Sequence, residues 1–167
     1  MELRIAGYVQ DSIVDGPGLR FSLFTQGCDV HCSGCQNPQT WAMDGGRVET
    51  VESLVETIAS NPLTMGITLT GGEPFLQAEA LLELVRTCKE KFGFGVWAYS
   101  GHHFEDIEAG AMGQTARDLL HECEVLVDGP FIEAEKSLNL RWRGSKNQRV
   151  IDVAKSLESK EVILREH

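Results

Sequence analysis

Apolar and polar residues recur along this chain in one repeated order. Residues 19–25, LRFSLFT, alternate well enough to read as a strand, and the strand runs straight into a cysteine-bearing loop that begins at Gln26. Val51, Leu54, Val55 and Ile58 follow helical spacing behind a cap at Thr50, Pro62 stops that helix, and residues 67–70 read as a second strand broken by Gly71, Gly72, Glu73 and Pro74. Leu81, Leu84, Val85, Cys88 and Phe92 form the next helical stripe, followed by a strand at 95–99 that ends in Ser100 and Gly101. Residues 104–121 predict a helix weakened by Gly110 and Gly113, and a fourth strand at 124–128 ends at Gly129 and Pro130. Short strands at 149–153 and 162–164, with a helical turn at 154–159 between them, complete the pattern.

Strands alternating with helices imply right-handed crossovers and a mostly parallel α/β sheet. The turns after the first four strands are a cysteine cluster, GGEP, YSG and DGPF. All four fall at carboxyl ends of strands, the edge where parallel α/β sheets bind ligands, so they point to one composite site.

Composition narrows the class. A length of 167 residues predicts one domain over 1–167, and 42% hydrophobic residues supply an ordinary core. The net charge of -10 argues against nucleic acid or an anionic membrane as a partner of the whole surface. No apolar run suits a membrane span, and the first residues lack the pattern of a signal peptide, so the chain reads as cytoplasmic. Five cysteines, three of them within eight residues, do not make a disulfide framework.

Those three, Cys28, Cys32 and Cys35, have the spacing CxxxCxxC. Three thiolates on one short loop suit three corners of an iron-sulfur cube and leave one iron open to a small molecule. The bland alternative is a structural zinc site completed by His31 or a distant cysteine, although neither Cys88 nor Cys123 has a partner at the usual spacing. Both of these cysteines read as small core residues.

CxxxCxxC after a first strand, with GGEP after the second, resembles the radical S-adenosylmethionine enzymes. The resemblance implies a [4Fe-4S] cluster on Cys28, Cys32 and Cys35, and S-adenosylmethionine bound at its open iron and cleaved reductively to methionine and a 5'-deoxyadenosyl radical. It assigns the GGEP turn, hence Gly71, Gly72 and Glu73, to the methionine amino group, and makes Ser100 and Asp128 candidates for the cofactor's carboxylate and ribose. No catalytic residue is expected beyond these sites. A full barrel needs ~250 residues, so the chain length predicts a partial, splayed (β/α) barrel of about six mostly parallel strands.

Asp15 to Arg20, DGPGLR, together with Asn37 and Trp41 in CQNPQTW, look like the activating enzymes of glycyl radical enzymes. Residues 141–152, RWRGSKNQRVID, resemble the C-terminal signature of the branch that activates anaerobic ribonucleoside-triphosphate reductase. Gly34 departs from the broad pattern, which often has an aromatic residue before the last cysteine, but is compatible with this branch. The chain lacks the ferredoxin-like insert of some activases, having no cysteine pair between Gln36 and Cys88. The resemblance implies the reductase large subunit as protein substrate, with a flavodoxin- or ferredoxin-type electron donor. An activase of another glycyl radical enzyme, such as pyruvate formate-lyase, is the near alternative, and a non-catalytic zinc or electron-transfer module the distant one. Arg141, Arg143, Lys146 and Arg149 gather four of fifteen positive charges in nine residues, a candidate dock for the reductase or an acidic donor.

Overall fold

The computed structural model describes residues 1–32, 34–35 and 37–165. Its strands are β1 (Glu2–Ser12), β2 (Arg20–Thr25), β3 (Arg47–Thr50), β4 (Gly66–Gly71), β5 (Gly95–Ser100), β6 (Val125–Asp128) and β7 (Arg149–Asp152). Its helices are α1 (Val51–Ala59), α2 (Ala78–Phe92), α3 (Phe104–Glu108), α4 (Gln114–Glu122) and α5 (Val153–Ser159).

The seven strands form one sheet in the order β3-β1-β2-β4-β5-β6-β7. β2, β4, β5 and β6 are mutually parallel, while β1 runs antiparallel to β2 and β3, and β7 antiparallel to β6. The sheet is therefore mixed, parallel only through its centre, where the sequence predicts about six mostly parallel strands. Three strands account for the difference, β7 because it returns antiparallel to β6, and β1 and β3 because their sequences do not mark them. β1 buries Leu3 and Ile5, but its register shifts between Ile5 and Gly7 and again between Val9 and Ser12, so no sustained period-two pattern marks it. β3 is a four-residue edge strand with little apolar content.

The helical face carries the main core. Phe21, Leu23, Ile67, Leu69, Val96, Ala98 and Leu126 from the sheet meet Leu54, Ile58, Leu81, Leu84, Val85, Leu119 and Leu120 from the helices. The Thr50 hydroxyl accepts from the Ser53 N–H at 3.0 Å and caps α1, as its sequence predicts. The helix expected over 104–121 is two helices, because Gly110 and Gly113 take positive φ values of 89° and 99° and break it. The strand expected at 162–164 reduces to a single bridge between Leu164 and Ile151. Cys88 and Cys123 are core residues, and burial pushes their thiols up to about 11 and about 12.

The opposite face of the sheet is also covered. Trp97, Val125, Val127 and Val150 cluster there with Tyr99 and Trp142, which explains why all four residues of β6 are buried. At the amino ends of the parallel strands, buried Arg20 donates to Thr68 Oγ1 at 2.9 Å and to the Ile67 and Gly95 carbonyls at 2.8 and 3.0 Å, with its guanidinium over the Trp97 ring. The Thr68 hydroxyl donates in turn to the Asp15 carbonyl at 2.7 Å. Arg20 thereby ties the DGPGLR segment across three strands and stoppers this end. Among the described residues, no helix is long and apolar enough to cross a membrane.

Candidate functional site

The cysteine loop leaves β2 at the carboxyl edge and is fixed by backbone bonds on both sides. The Gly27 and Cys28 N–H groups donate to the carbonyls of Thr40 and Trp41 at 2.6 and 3.1 Å, and the Gly27 carbonyl accepts from the Glu73 N–H at 2.8 Å. The Gly72 N–H donates to the Thr25 carbonyl at 2.9 Å. The glycines permit this closeness. A Cβ at Gly72 would collide with the Gly27 carbonyl oxygen, and Gly71 has a φ of 109° that side chains rarely adopt.

Cys28, Cys32 and Cys35 face one cavity of about 110 Å³, which Gly71, Gly72, Glu73 and Ser100 also line. Burial raises the Cys28 and Cys32 thiols above their ordinary value. Backbone N–H groups oppose that effect at Cys28 and Cys32, and a backbone N–H also donates to Cys35. Phe131 donates to Cys32 Sγ at 3.2 Å, Asn37 donates to Cys35 Sγ at 3.4 Å, and Val30 and His31 act on Cys28. Three convergent thiols supplied with N–H donors suit a thiolate-held iron-sulfur cluster, whose bound irons displace the thiol protons. None of these thiols pairs with Cys88 or Cys123, which remain in the core.

Glu73 is 1% exposed, and its carboxylate accepts from Ser100 Oγ at 2.9 Å, the Gly101 N–H at 2.8 Å and the Phe75 N–H at 3.2 Å. Burial outweighs these donors and pushes the group up to about 7. The side chain therefore locks the turn after β4 to the turn after β5, with protein donors on both oxygens. Ser100 lines the cavity while donating to Glu73. His102 adds a second tie: its ring nitrogen lies 3.0 Å from both Asp29 oxygens, and Val30 packs on Gly101 with no room for a Cβ.

Asp128 is placed elsewhere. It is fully buried at the end of β6, bonded to Arg149 Nε at 2.9 Å and Nη2 at 2.5 Å, and accepts from the Phe104 N–H at 2.7 Å. It lines neither this cavity nor its neighbour. The DGPF turn instead contributes Gly129 and Phe131. The alternation along β6 is the reason: Val127 faces the cavity, while Asp128 faces α3.

A second cavity of about 500 Å³ adjoins the first. Thr70, Tyr99, Phe131 and Gln148 line both. Asp15, whose carboxylate accepts from Ser12 and Ser22 hydroxyls at 3.0 Å each, exposed Val14, Trp142 and Arg143 also line the second cavity. Tyr99 was within reach of sequence reasoning, since YSG was a marked turn, and so was Gln148 in NQRVID. Only their placement on the inward face singles them out.

The basic segment is largely engaged internally. Arg149 is committed to Asp128 and Glu105, and Arg143 donates to the Lys146 and Gln148 carbonyls at 3.1 and 2.5 Å. Arg141 lies over the Trp142 ring, 4.9 Å from its centroid.

A family model described as a 4Fe-4S single cluster domain matches residues 14–151. The chain is 34% identical over 151 residues to the anaerobic ribonucleoside-triphosphate reductase-activating protein of Vibrio cholerae, covering 84% of this chain and 92% of that one. It is 40% identical over 93 residues to the pyruvate formate-lyase-activating enzyme of Clostridium pasteurianum, covering 53% of this chain and 39% of that one. The crystal structure of QueE from Escherichia coli shares the fold, with a TM-score of 0.50 at 22% identity over 60% of this chain and 52% of that chain.

Proposed function

Because this chain belongs to the 4Fe-4S single cluster domain family and to the anaerobic ribonucleoside-triphosphate reductase-activating proteins, we propose that it installs a glycyl radical on that reductase. The observation that carries the reading is the pair of adjoining cavities: three thiols line the inner one, and the outer one, lined by Asp15 and Trp142, shares Thr70, Tyr99, Phe131 and Gln148 with it. A cluster and S-adenosylmethionine bound there would supply one-electron reductive cleavage of the latter, and with it the oxidising power to take a hydrogen atom from a glycine Cα of the reductase.

The chain's own residues bind, orient and seal. Cys28, Cys32 and Cys35 hold the cluster as thiolates, and their backbone N–H donors stabilise that state. Gly71 and Gly72 would offer backbone acceptors to the cofactor's amino group, with Glu73 and Ser100 fixing the turn that carries them. Tyr99 and Phe131 exclude water between the cavities. Asp128 acts in stability rather than in cofactor contact.

The outer cavity of about 500 Å³ suits a glycine loop of a macromolecule. We read the curled mixed sheet as a partial, splayed (β/α) barrel and the chain as one domain, and the likeness to QueE supports the fold. Five unpaired thiols fit a reducing cytoplasm, and a flavodoxin- or ferredoxin-type protein is the expected electron donor.

The test is anaerobic incubation of reconstituted, reduced protein and S-adenosylmethionine with the purified reductase large subunit or, separately, with pyruvate formate-lyase. A glycyl radical signal on the reductase alone is the expected result. A signal only on pyruvate formate-lyase would move the assignment to the activase that the shorter match favours. One zinc per chain without sulfide would remove the radical mechanism.

A further inference from the structure

Among the described residues, four buried side-chain polar atoms have no hydrogen-bond partner: Trp41 Nε1, Thr64 Oγ1, Trp97 Nε1 and Arg143 Nε. Of these residues, Trp41 alone lines the cavity of the three thiols. An indole nitrogen is a donor only, and buried donors are nearly always satisfied, so this one points to an acceptor that arrives with the occupant of the cavity. The protein around Trp41 is already committed. Its carbonyl takes the Cys28 N–H, the preceding Thr40 carbonyl takes the Gly27 N–H, and exposed His31 stacks on its ring at 4.8 Å and 11°.

We propose that the Trp41 indole N–H donates a hydrogen bond to the sulfur framework of the iron-sulfur cluster, making Trp41 a residue that sets the cluster's reduction potential. This rests on the reading of Cys28, Cys32 and Cys35 as cluster ligands. Reduction adds negative charge to the cluster, and an N–H directed at sulfur stabilises that charge, so each such bond raises the potential. Backbone groups supply such donors at Cys28, Cys32 and Cys35, and Trp41 adds one from a side chain, where it can be removed singly.

The experiment replaces Trp41 by Phe, and in a second protein by benzothienylalanine, which keeps the bicyclic outline and lacks only the N–H. Each is reconstituted anaerobically, assayed for iron and sulfide, and titrated for its midpoint potential without S-adenosylmethionine or reductase. Both should hold wild-type iron and be harder to reduce by roughly tenfold in the equilibrium, equivalent to about 59 mV more negative for one electron. Should Phe cost iron by leaving a gap, the isosteric protein carries the comparison. Trp97→Phe, which also removes an orphaned indole N–H but from outside the thiol cavity, should leave the potential unchanged. Full iron with a wild-type potential in the isosteric protein, or an equal shift in Trp97→Phe, overturns the proposal. Wild-type protein that takes up no iron and sulfide would instead remove the cluster reading beneath it.

Discussion

The Glu73 carboxyl sits where desolvation and hydrogen bonding oppose each other, and desolvation wins. Its folded value of about 7 lies above the ordinary 4.5, so the folded state keeps the proton to higher pH than the unfolded chain does. Folding stability attached to this group is full below about 4.5, falls as pH rises towards 7, and is flat beyond. In cluster-free protein, the stability difference between wild type and Glu73→Gln should move by up to about 3 kcal/mol against wild type across that window, read by urea unfolding at several pH values. An unchanging difference would contradict the account. Asp128 makes the complementary case. Arg149→Met leaves a fully buried carboxylate with only the Phe104 N–H, and should cost about 3–5 kcal/mol in the same assay. Asp128→Asn should lower stability while leaving the affinity for S-adenosylmethionine, measured by calorimetry on reconstituted protein, within about twofold of wild type. The cysteines and the Gly-Gly turn were legible as residue types at a spacing. The engagement of Asp128 was not, because whether a strand-end residue faces cavity or helix depends on register, which its own letter does not carry.

At the scale of elements, the cysteine loop and the turn after β4 act as one body, joined through Gly27, Gly72 and Glu73. Gly72→Ala should keep the helical signal in far-ultraviolet circular dichroism and yet lose most of the iron on reconstitution, since the added methyl collides with the Gly27 carbonyl oxygen. Wild-type iron content in this variant would show that the loop can shift without loss. The central strands and α1, α2 and α5 follow from hydrophobic periodicity and caps, because they pack on the main core and carry its pattern. β1 was not legible, as its two register shifts break the alternation, nor was β3, an exposed edge with no apolar face. The 104–121 segment has helical periodicity on both sides of Gly110 and Gly113, so pattern alone joins what backbone conformation separates.

Across the whole molecule the net charge is -10, and exposed Arg141, whose guanidinium lies over the Trp142 ring that lines the outer cavity, makes no ion pair among the described residues. Charge reversal at Arg141 should weaken activation of the reductase by up to about fivefold at low salt, less at high salt, with folding intact. The same change at Arg149 should fail through instability, because that side chain holds Asp128 and Glu105. A basic run in a sequence shows charge density but not which charges the fold consumes. We propose that Cys28, Cys32 and Cys35 hold a [4Fe-4S] cluster with an iron open to S-adenosylmethionine. Electron paramagnetic resonance on anaerobically reconstituted, chemically reduced protein, with and without S-adenosylmethionine, tests it directly. A reduced [4Fe-4S] signal that changes shape when S-adenosylmethionine is added is the expected result; no cluster signal, or one indifferent to the cofactor, would rule out an open iron on these thiols.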